Sequence, residues 1–542
     1  MLFGLCLHCD FLTSNLTYCS EGDVTVRTVD EKTSKDFDVT MSSYQTTYDE
    51  PLGIVPHQVY IYASQIFHRM YRKRPADQES IRYGNPKGTL EINHESNEDT
   101  RRQTFKLAYA ALKYQDLLED VIIESGFQSS NPLPQESMCL AVVAFYVLMN
   151  NKFYLPRRHR RGPVIEEVQE VQDALQSAKT GLNATLARLR IRDRILTIDS
   201  LLPENVRNRD KYARTLPVYG WVNTVKSCFE EVVAGLEEDG FKAPEPDDEE
   251  FKGRVYKKLL HFSDTLVFPG ENKERLRDHP LVKNGCLILQ DRSVAMPAYT
   301  IKSLLSLNSG CDVICTHAGS GHLAAHVWAL LDREEFQVYA LGARTPEQAS
   351  SLRGTISLLG MQYVKVLQEN FMDIRPDDPR MQNLQVILLN PPNSQSGLCN
   401  PMESLVHGES DVGILREFSS KKFSSGKLGD LVSTQVNLIK HAMAFPTVKY
   451  IVYFTSSVFK EENEEALVKA QEQMNPVINK TPGLLPFKVR ASPLPIAKTS
   501  QDPTYVKFPM SPEMNGCFCG ILERKGDTRE LLARAQKFDL GI

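Results

Sequence analysis

Apolar and polar positions along this chain change period several times, and each change predicts a different kind of structure. From Arg101 to Asn150 the apolar positions step by three and four. Phe105, Ala108, Ala111, Leu112, Leu117, Leu118, Val121 and Ile122 fall on one helical face. Met138–Met149 is almost wholly apolar but too short to span a bilayer, which predicts a buried helix. Val164, Val168, Val171, Leu175, Ala178, Leu182, Leu186 and Leu189 mark another helix. Together they predict an all-α domain over residues 101–212. Ahead of it, residues 1–100 are polar and weakly periodic, and read as mostly loop or disorder around one short helix at Tyr60–Met70.

A strand at Leu216–Thr224 and a helix at Cys228–Asp239, stopped by Gly240, begin a small α/β module assigned to residues 213–285. The acidic loop Pro244–Glu250 leads to Thr265–Phe268 and on to Cys286–Gln290. Between residues 286 and 525 short apolar strands alternate with helices. The strands are Cys311–Cys315, Phe336–Leu341, Tyr363–Leu367, Val386–Leu389 and Tyr450–Phe454; the helices lie near Gly321–Leu331, Pro346–Leu359, Leu431–Phe445 and Glu462–Met474. Such alternation predicts an α/β fold with a mostly parallel sheet covered on both faces. Phe487–Val489 and Cys517–Leu522 add a late antiparallel pair, and residues 526–542 are a tail.

Composition narrows the class. A chain of 542 residues exceeds what one core holds, so several domains are expected. The net charge of -5 means that any nucleic-acid surface must be a local patch. Two patches qualify: Arg157, Arg158, Arg160 and Arg161 around His159, and a longer run from Arg188 to Arg214. A solvated helix face and a phosphate-tracking surface both explain them. Eleven cysteines without regular spacing fit reduced thiols, and neither Cys6-x-x-Cys9 nor Cys517-x-Cys519 has the second pair of a zinc site. No signal peptide or membrane span is read. An intracellular protein, nuclear or cytoplasmic, is expected, without metal or membrane.

The chemistry gathers where strands end. Val386–Leu389 stops at Asn390-Pro391-Pro392, and Tyr450–Phe454 stops at Thr455-Ser456-Ser457. Both deliver polar side chains to the carboxyl edge of a sheet, where open α/β folds bind ligands. The turn Thr316-His317-Ala318-Gly319-Ser320-Gly321 joins the first strand of this sheet to its helix.

The ordered set of motifs resembles the Sun-domain RNA (cytosine-5) methyltransferases. Leu289–Met296 is similar to their first motif, and Val386–Gly397 to their strand-four motif Asp-Ala/Pro-Pro-Cys-Ser-x-x-Gly. Tyr453–Asn463 is similar to their Ser-Thr-Cys-Ser…Glu-Glu-Asn, and Asn515–Phe518 to their closing Asp-Gly-Phe-Phe. The resemblance runs in order from Ala213 to Lys525. It implies a Rossmann-like sheet that uses S-adenosylmethionine, RNA as substrate class, and a ferredoxin-like module before the sheet.

Family chemistry uses one cysteine thiolate to attack carbon 6 of the pyrimidine and a second to release the product. The attacking position falls at Ser456 and the releasing position at Asn393. Cys399, the nearest thiol, is six residues past Asn393, up to ~20 Å away if extended. Of the donor loop Asp-x-Cys-Ala-Ala-Pro-Gly-x-Lys, Cys315 and Gly319 match, while Val313 stands at the Asp, Ala318 at the Pro and Gly321 at the Lys. The ribose-binding acid falls at Gly342; Asp373 matches the base-adjacent Asp, and Asn390 replaces the strand-four carboxylate. These substitutions predict a family member with impaired or lost catalysis and weak or absent donor binding, which acts on RNA or a protein partner. An active RNA methyltransferase with a non-standard nucleophile is the competing expectation. Asn390-Pro391-Pro392 also resembles the Asn-Pro-Pro-aromatic motif of amino-group methyltransferases, but Asn393 cannot stack on a base. A nucleotide-dependent oxidoreductase lacks its assembled glycine and acidic signatures.

Overall fold

The computed structural model describes residues 54–78, 80–85, 97–154, 163–244, 251–305, 310–331, 336–407, 411–421, 423–482, 484–499 and 502–526. The short helix expected at Tyr60–Met70 is present, starts three residues earlier and packs into the helical part. A helix at His57–Met70 buries Val59, Ala63, Ile66 and Phe67, and Ile165 N donates to His57 Nδ1 at 3.0 Å. Glu98–Lys113, Gln115–Glu124, Met138–Asn150 and Glu166–Arg192 follow. Every residue of Met138–Asn150 is buried, as its unbroken apolar run requires.

The small module is a four-stranded antiparallel sheet of β1 (Val218–Val222), β2 (Lys257–Lys258), β3 (Thr265–Phe268) and β4 (Leu287–Leu289), in the order β2-β3-β1-β4. Val222, Leu266, Phe268 and Leu287 pack on Val232 and Leu236 of the helix Phe229–Glu238. β4 therefore belongs to this sheet, although it lies past residue 285.

The larger sheet holds β5 (Asp312–Cys315), β6 (Gln337–Ala340), β7 (Val364–Val366), β8 (Leu384–Leu389), β9 (Tyr450–Thr455), β10 (Phe487–Arg490), β11 (Val506–Phe508) and β12 (Cys517–Arg524). Its order is β10-β12-β9-β8-β5-β6-β7, with β11 also on β12. β5 to β9 run parallel, while β12 enters antiparallel beside β9. The late strands are thus three rather than two, since β10 and β11 both pair with β12. Side chains alternate between two cores. Val313, Val386, Leu388 and Val452 face the helices Arg292–Leu305 and His322–Leu331, whereas Ile314, Ile387, Leu389 and Ile451 face Ser425–Met443 and Glu464–Ile478. This is the Rossmann-like α/β sheet, with the helical part and the ferredoxin-like module ahead of it.

Candidate functional site

Strand order reverses between β5 and β8, and the turns after these two strands meet there, as the switch-point rule demands. Thr316 N donates to Leu388 O at 3.0 Å, and Asn390 N donates back to Thr316 Oγ1 at 3.3 Å. Beyond β8 the loop turns onto the end of β9. Gly397 N donates to Ser456 O, and Gly516 N to Gly397 O, each at 2.8 Å. A Cβ on Gly397 would lie 2.5 Å from Gly516 O and 2.8 Å from Ser456 O, so this crossing admits only glycine. Asn515 Oδ1 accepts from Cys399 N at 2.8 Å, and Asn515 also bonds the half-buried Asp291, which takes Ser293 N at 2.8 Å. All four motifs singled out in the sequence therefore converge.

Their centre is a carboxylate. Glu462 is fully buried at the turn between β9 and the helix Glu464–Ile478. Its Oε1 accepts from Ser394 N and Gln435 Nε2 at 2.9 Å each, and its Oε2 from the Ser394 and Ser457 hydroxyls at 2.5 Å each. Ser396 Oγ lies 3.0 Å from Ser394 Oγ and 3.2 Å from Ser457 Oγ, and accepts from Val458 N at 3.0 Å. Burial excludes substrate from this hydroxyl cluster. Ser456 and Asn393 lie beside it, each half-buried. Asn393 is turned onto its own loop: its Nδ2 donates to Pro391 O at 3.0 Å and its Oδ1 accepts from Gln395 N at 2.9 Å. Glu462 thus serves Ser457 and Ser394, the neighbours of the two positions singled out for chemistry.

The donor-side residues scatter by exposure. Cys315 is buried at the end of β5, and burial pushes its thiol up to about 12. Gly319, Gly321 and Gly342 all take positive φ, 55°, 88° and 111°. Asp373 is exposed on a single turn, Phe371–Asp373. Cys399 is 1% exposed, and burial and then the Asp291 charge push its thiol up to about 12. It sits as a packed, buried side chain.

Sequence reasoning missed two anchors, one from the helical part and one on the site loop itself. Arg209, on the helix Glu204–Thr215, stacks on Phe418 with its guanidinium carbon 3.9 Å from the ring centroid. It donates to Leu398 O at 3.0 Å and to Ser396 O at 3.3 Å, so it grips the strand-four loop from outside the sheet. It belongs to the Arg188–Arg214 basic run, and only its 7% exposure distinguishes it. Others in that run are also engaged: Arg192 pairs with Glu124 and Asp193, and Arg214 with Asp199. Glu403 is the second anchor. Its Oε1 meets Arg102 at 2.8 Å and Lys273 and Arg277 at 3.0 Å, joining the helical part, the small module and the site loop. Arg157, Arg158, Arg160 and Arg161 lie outside the described residues. Among the described residues no group of His, Cys, Asp and Glu is arranged to hold a metal, and no helix is long and apolar enough to cross a membrane.

Residues 216–290 match the profile of the "NOL1/NOP2/Sun domain family member 5, ferredoxin-like domain", the segment that carries β1 to β4. The chain is 33% identical over 491 residues to "Putative methyltransferase NSUN7" of Mus musculus, covering 89% of this chain and 67% of that protein. It is 27% identical over 395 residues to the "28S rRNA (cytosine-C(5))-methyltransferase" of Mus musculus, covering 72% of this chain and 77% of the relative. Among solved structures, "Crystal Structure of PH0851" superposes with a TM-score of 0.52 at 17% identity, covering 87% of this chain and 99% of that one, which supports the fold. The chain spans about two thirds of the NSUN7 proteins it matches. By motif order, by the ferredoxin-like segment and by this kinship, the chain belongs to the NOL1/NOP2/Sun domain family.

Proposed function

We propose that this chain is a Sun-domain family member that engages RNA, or a protein bound to RNA, without efficient methyl transfer. The observation that carries this reading is the site itself. The attacking and releasing positions hold Ser456 and Asn393, neither of which has sulfur, and the fully buried Glu462 carboxylate beside them is held by Ser457 and Ser394. A serine hydroxyl without a base on it is a poor nucleophile. S-adenosylmethionine, which the kinship implies, does not fit the residues at hand: Gly342 supplies no carboxylate for a ribose, Gly321 no amine, and Asn390 no charge. RNA as the ligand class is supported by the relative named for 28S rRNA and by the arginine cluster Arg157, Arg158, Arg160 and Arg161.

The test is direct. Purified protein gives no methyl transfer to RNA cytosine and no covalent adduct with RNA that contains 5-azacytosine. RNA affinity falls with salt at about -0.7 in log K against log[salt] per phosphate contacted on a single strand. Reversing Arg157, Arg158, Arg160 and Arg161 to Glu weakens it for all sequences. Methylation by the wild type that is lost in Ser456→Ala overturns the reading, since Ser456 is then an activated nucleophile. RNA affinity indifferent to salt and to the reversals leaves a protein scaffold.

A further inference from the structure

The turn after β5 adopts a conformation that a proline at position 318 would forbid. Proline has no N–H and drives the residue before it toward extended backbone. In this chain position 318 is alanine, and Ala318 N donates to Leu341 O at 2.6 Å. His317, freed from that restriction, sits at φ 50°, in the left-handed region that non-glycine residues seldom occupy. Leu341 N donates to Cys315 O at 2.9 Å, so the ends of β5 and β6 stay zipped one residue beyond the strands. Gly342 takes φ 111°, and a Cβ there would lie 2.6 Å from His317 Cα, 3.1 Å from His317 N and 3.2 Å from Ala318 N. Those neighbours are main chain, which cannot swing aside as a side chain would. His317 Nδ1 is buried without a hydrogen-bond partner. Burial, and then Arg344, lower its pKa to about 4, so the ring is uncharged at neutral pH.

We infer that residues 316–319 are a latch across the end of β6, filling with main chain the corner where the ribose of an S-adenosylmethionine-type donor would be held. Donor exclusion is then a matter of occupied space as well as of missing charge. In Rossmann-like folds an acidic side chain from this strand end takes the ribose hydroxyls. Here the acid is absent and the place it would project into is taken. The latch also explains why His317 carries its backbone strain: the Ala318 bond to Leu341 holds it there. One consequence is counter-intuitive, because restoring the carboxylate at 342 does not restore the donor. The inference deepens the proposal of lost donor binding, but it stands on backbone geometry and is independent of whether RNA binds.

The experiment is a double-mutant cycle of Ala318→Pro and Gly342→Asp, read by the apparent Tm and by calorimetric titration with S-adenosylmethionine. Gly342→Asp alone lowers the Tm by roughly 4–8 °C and binds no donor. Ala318→Pro removes the latch bond and lets the turn withdraw. The Tm losses of the double variant therefore fall short of the sum of the single ones. Strictly additive losses overturn the latch, as does submicromolar donor affinity in the wild type or in Gly342→Asp. If Gly342→Asp does not fold, amide hydrogen exchange in the wild type decides. Slow exchange at Ala318 supports the latch, and exchange as fast as at the exposed Gly319 overturns it. RNA affinity of Ala318→Pro, measured in parallel, follows the fate of the RNA proposal without bearing on the latch.

Discussion

Replacing Glu462 by alanine takes the acceptor from four donors at once. The Ser394 and Ser457 hydroxyls can turn elsewhere, since Ser396 Oγ lies within 3.0 Å and 3.2 Å of them. Ser394 N and the Gln435 Nε2 hydrogen aimed at Glu462 have no second acceptor at hand. Each donor stranded in a buried site costs ~1–3 kcal/mol. Lost packing at a fully buried side chain adds roughly 1–2 kcal/mol, giving a loss of about 3–8 kcal/mol. Glutamine keeps the volume and one acceptor, and its new amide hydrogens meet two hydroxyls that accept as readily as they donate. The cost there is the charge assistance alone, about 1–2 kcal/mol. Urea unfolding followed by tryptophan fluorescence reads this part of the molecule, because the two tryptophans, Trp221 and Trp328, both lie in the core on one face of the large sheet. An alanine variant within ~1 kcal/mol of the wild type, or a glutamine variant less stable than alanine, refutes the assignment of Glu462 as the pin between the two loops.

Three further outcomes follow from the same contacts. Burial alone would raise the Glu403 carboxyl, but Lys273, Arg102 and Arg277 hold it well below the ordinary range. The unfolded chain therefore takes its proton first, and the stabilisation is full above about pH 4.3 and lost as pH falls through the folded value. Glu403→Gln removes that acid-side decline, worth about 1–2 kcal/mol because the carboxylate is part-exposed; identical pH profiles of variant and wild type count against the anchor. Arg209→Lys cannot both stack on Phe418 and reach Ser396 O and Leu398 O, so it lowers stability by about 1–3 kcal/mol and speeds proteolysis of the loop after Pro392; unaltered cleavage contradicts the grip. Brief alkylation of native protein at pH 8, mapped by mass spectrometry, modifies exposed Cys228 and spares Cys315 and Cys399, whose thiols are pushed up to about 12; rapid labelling of Cys399 would reveal a reactive thiol beside the site.

The large sheet was legible because its strands are short apolar runs that end at polar or turn-forming residues, a pattern that needs no tertiary information. Val506–Phe508 escaped because three residues cannot show a period, although their partner Cys517–Cys519 lies close by in the sequence. The motif positions at Ser456, Asn393 and Gly342 were visible as residue types. Their meaning depended on contacts that no spacing encodes. Glu462 stood in a recognised motif, but its four donors come from three separate segments. Arg209 read as one more solvated cation, since burial of a charge leaves no mark on the residues beside it. The latch was hidden for a different reason: a substituted proline looks like a loss, and the N–H it releases is a gain only if a carbonyl lies opposite.

The antiparallel strand β12 gives the site an order in time. The loop after Pro391 is fastened by Gly516, yet about 120 residues separate the two along the chain. At ~5–20 residues per second of synthesis, the loop waits roughly 6–25 s for its clasp. Until Cys517–Arg524 slides in beside β9, that edge of the parallel sheet exposes unpaired peptide groups of a strand apolar on both faces. The nascent protein is thus most exposed to mispairing just before β12 emerges. A chain cut short anywhere ahead of Asn515 would keep that open edge for good.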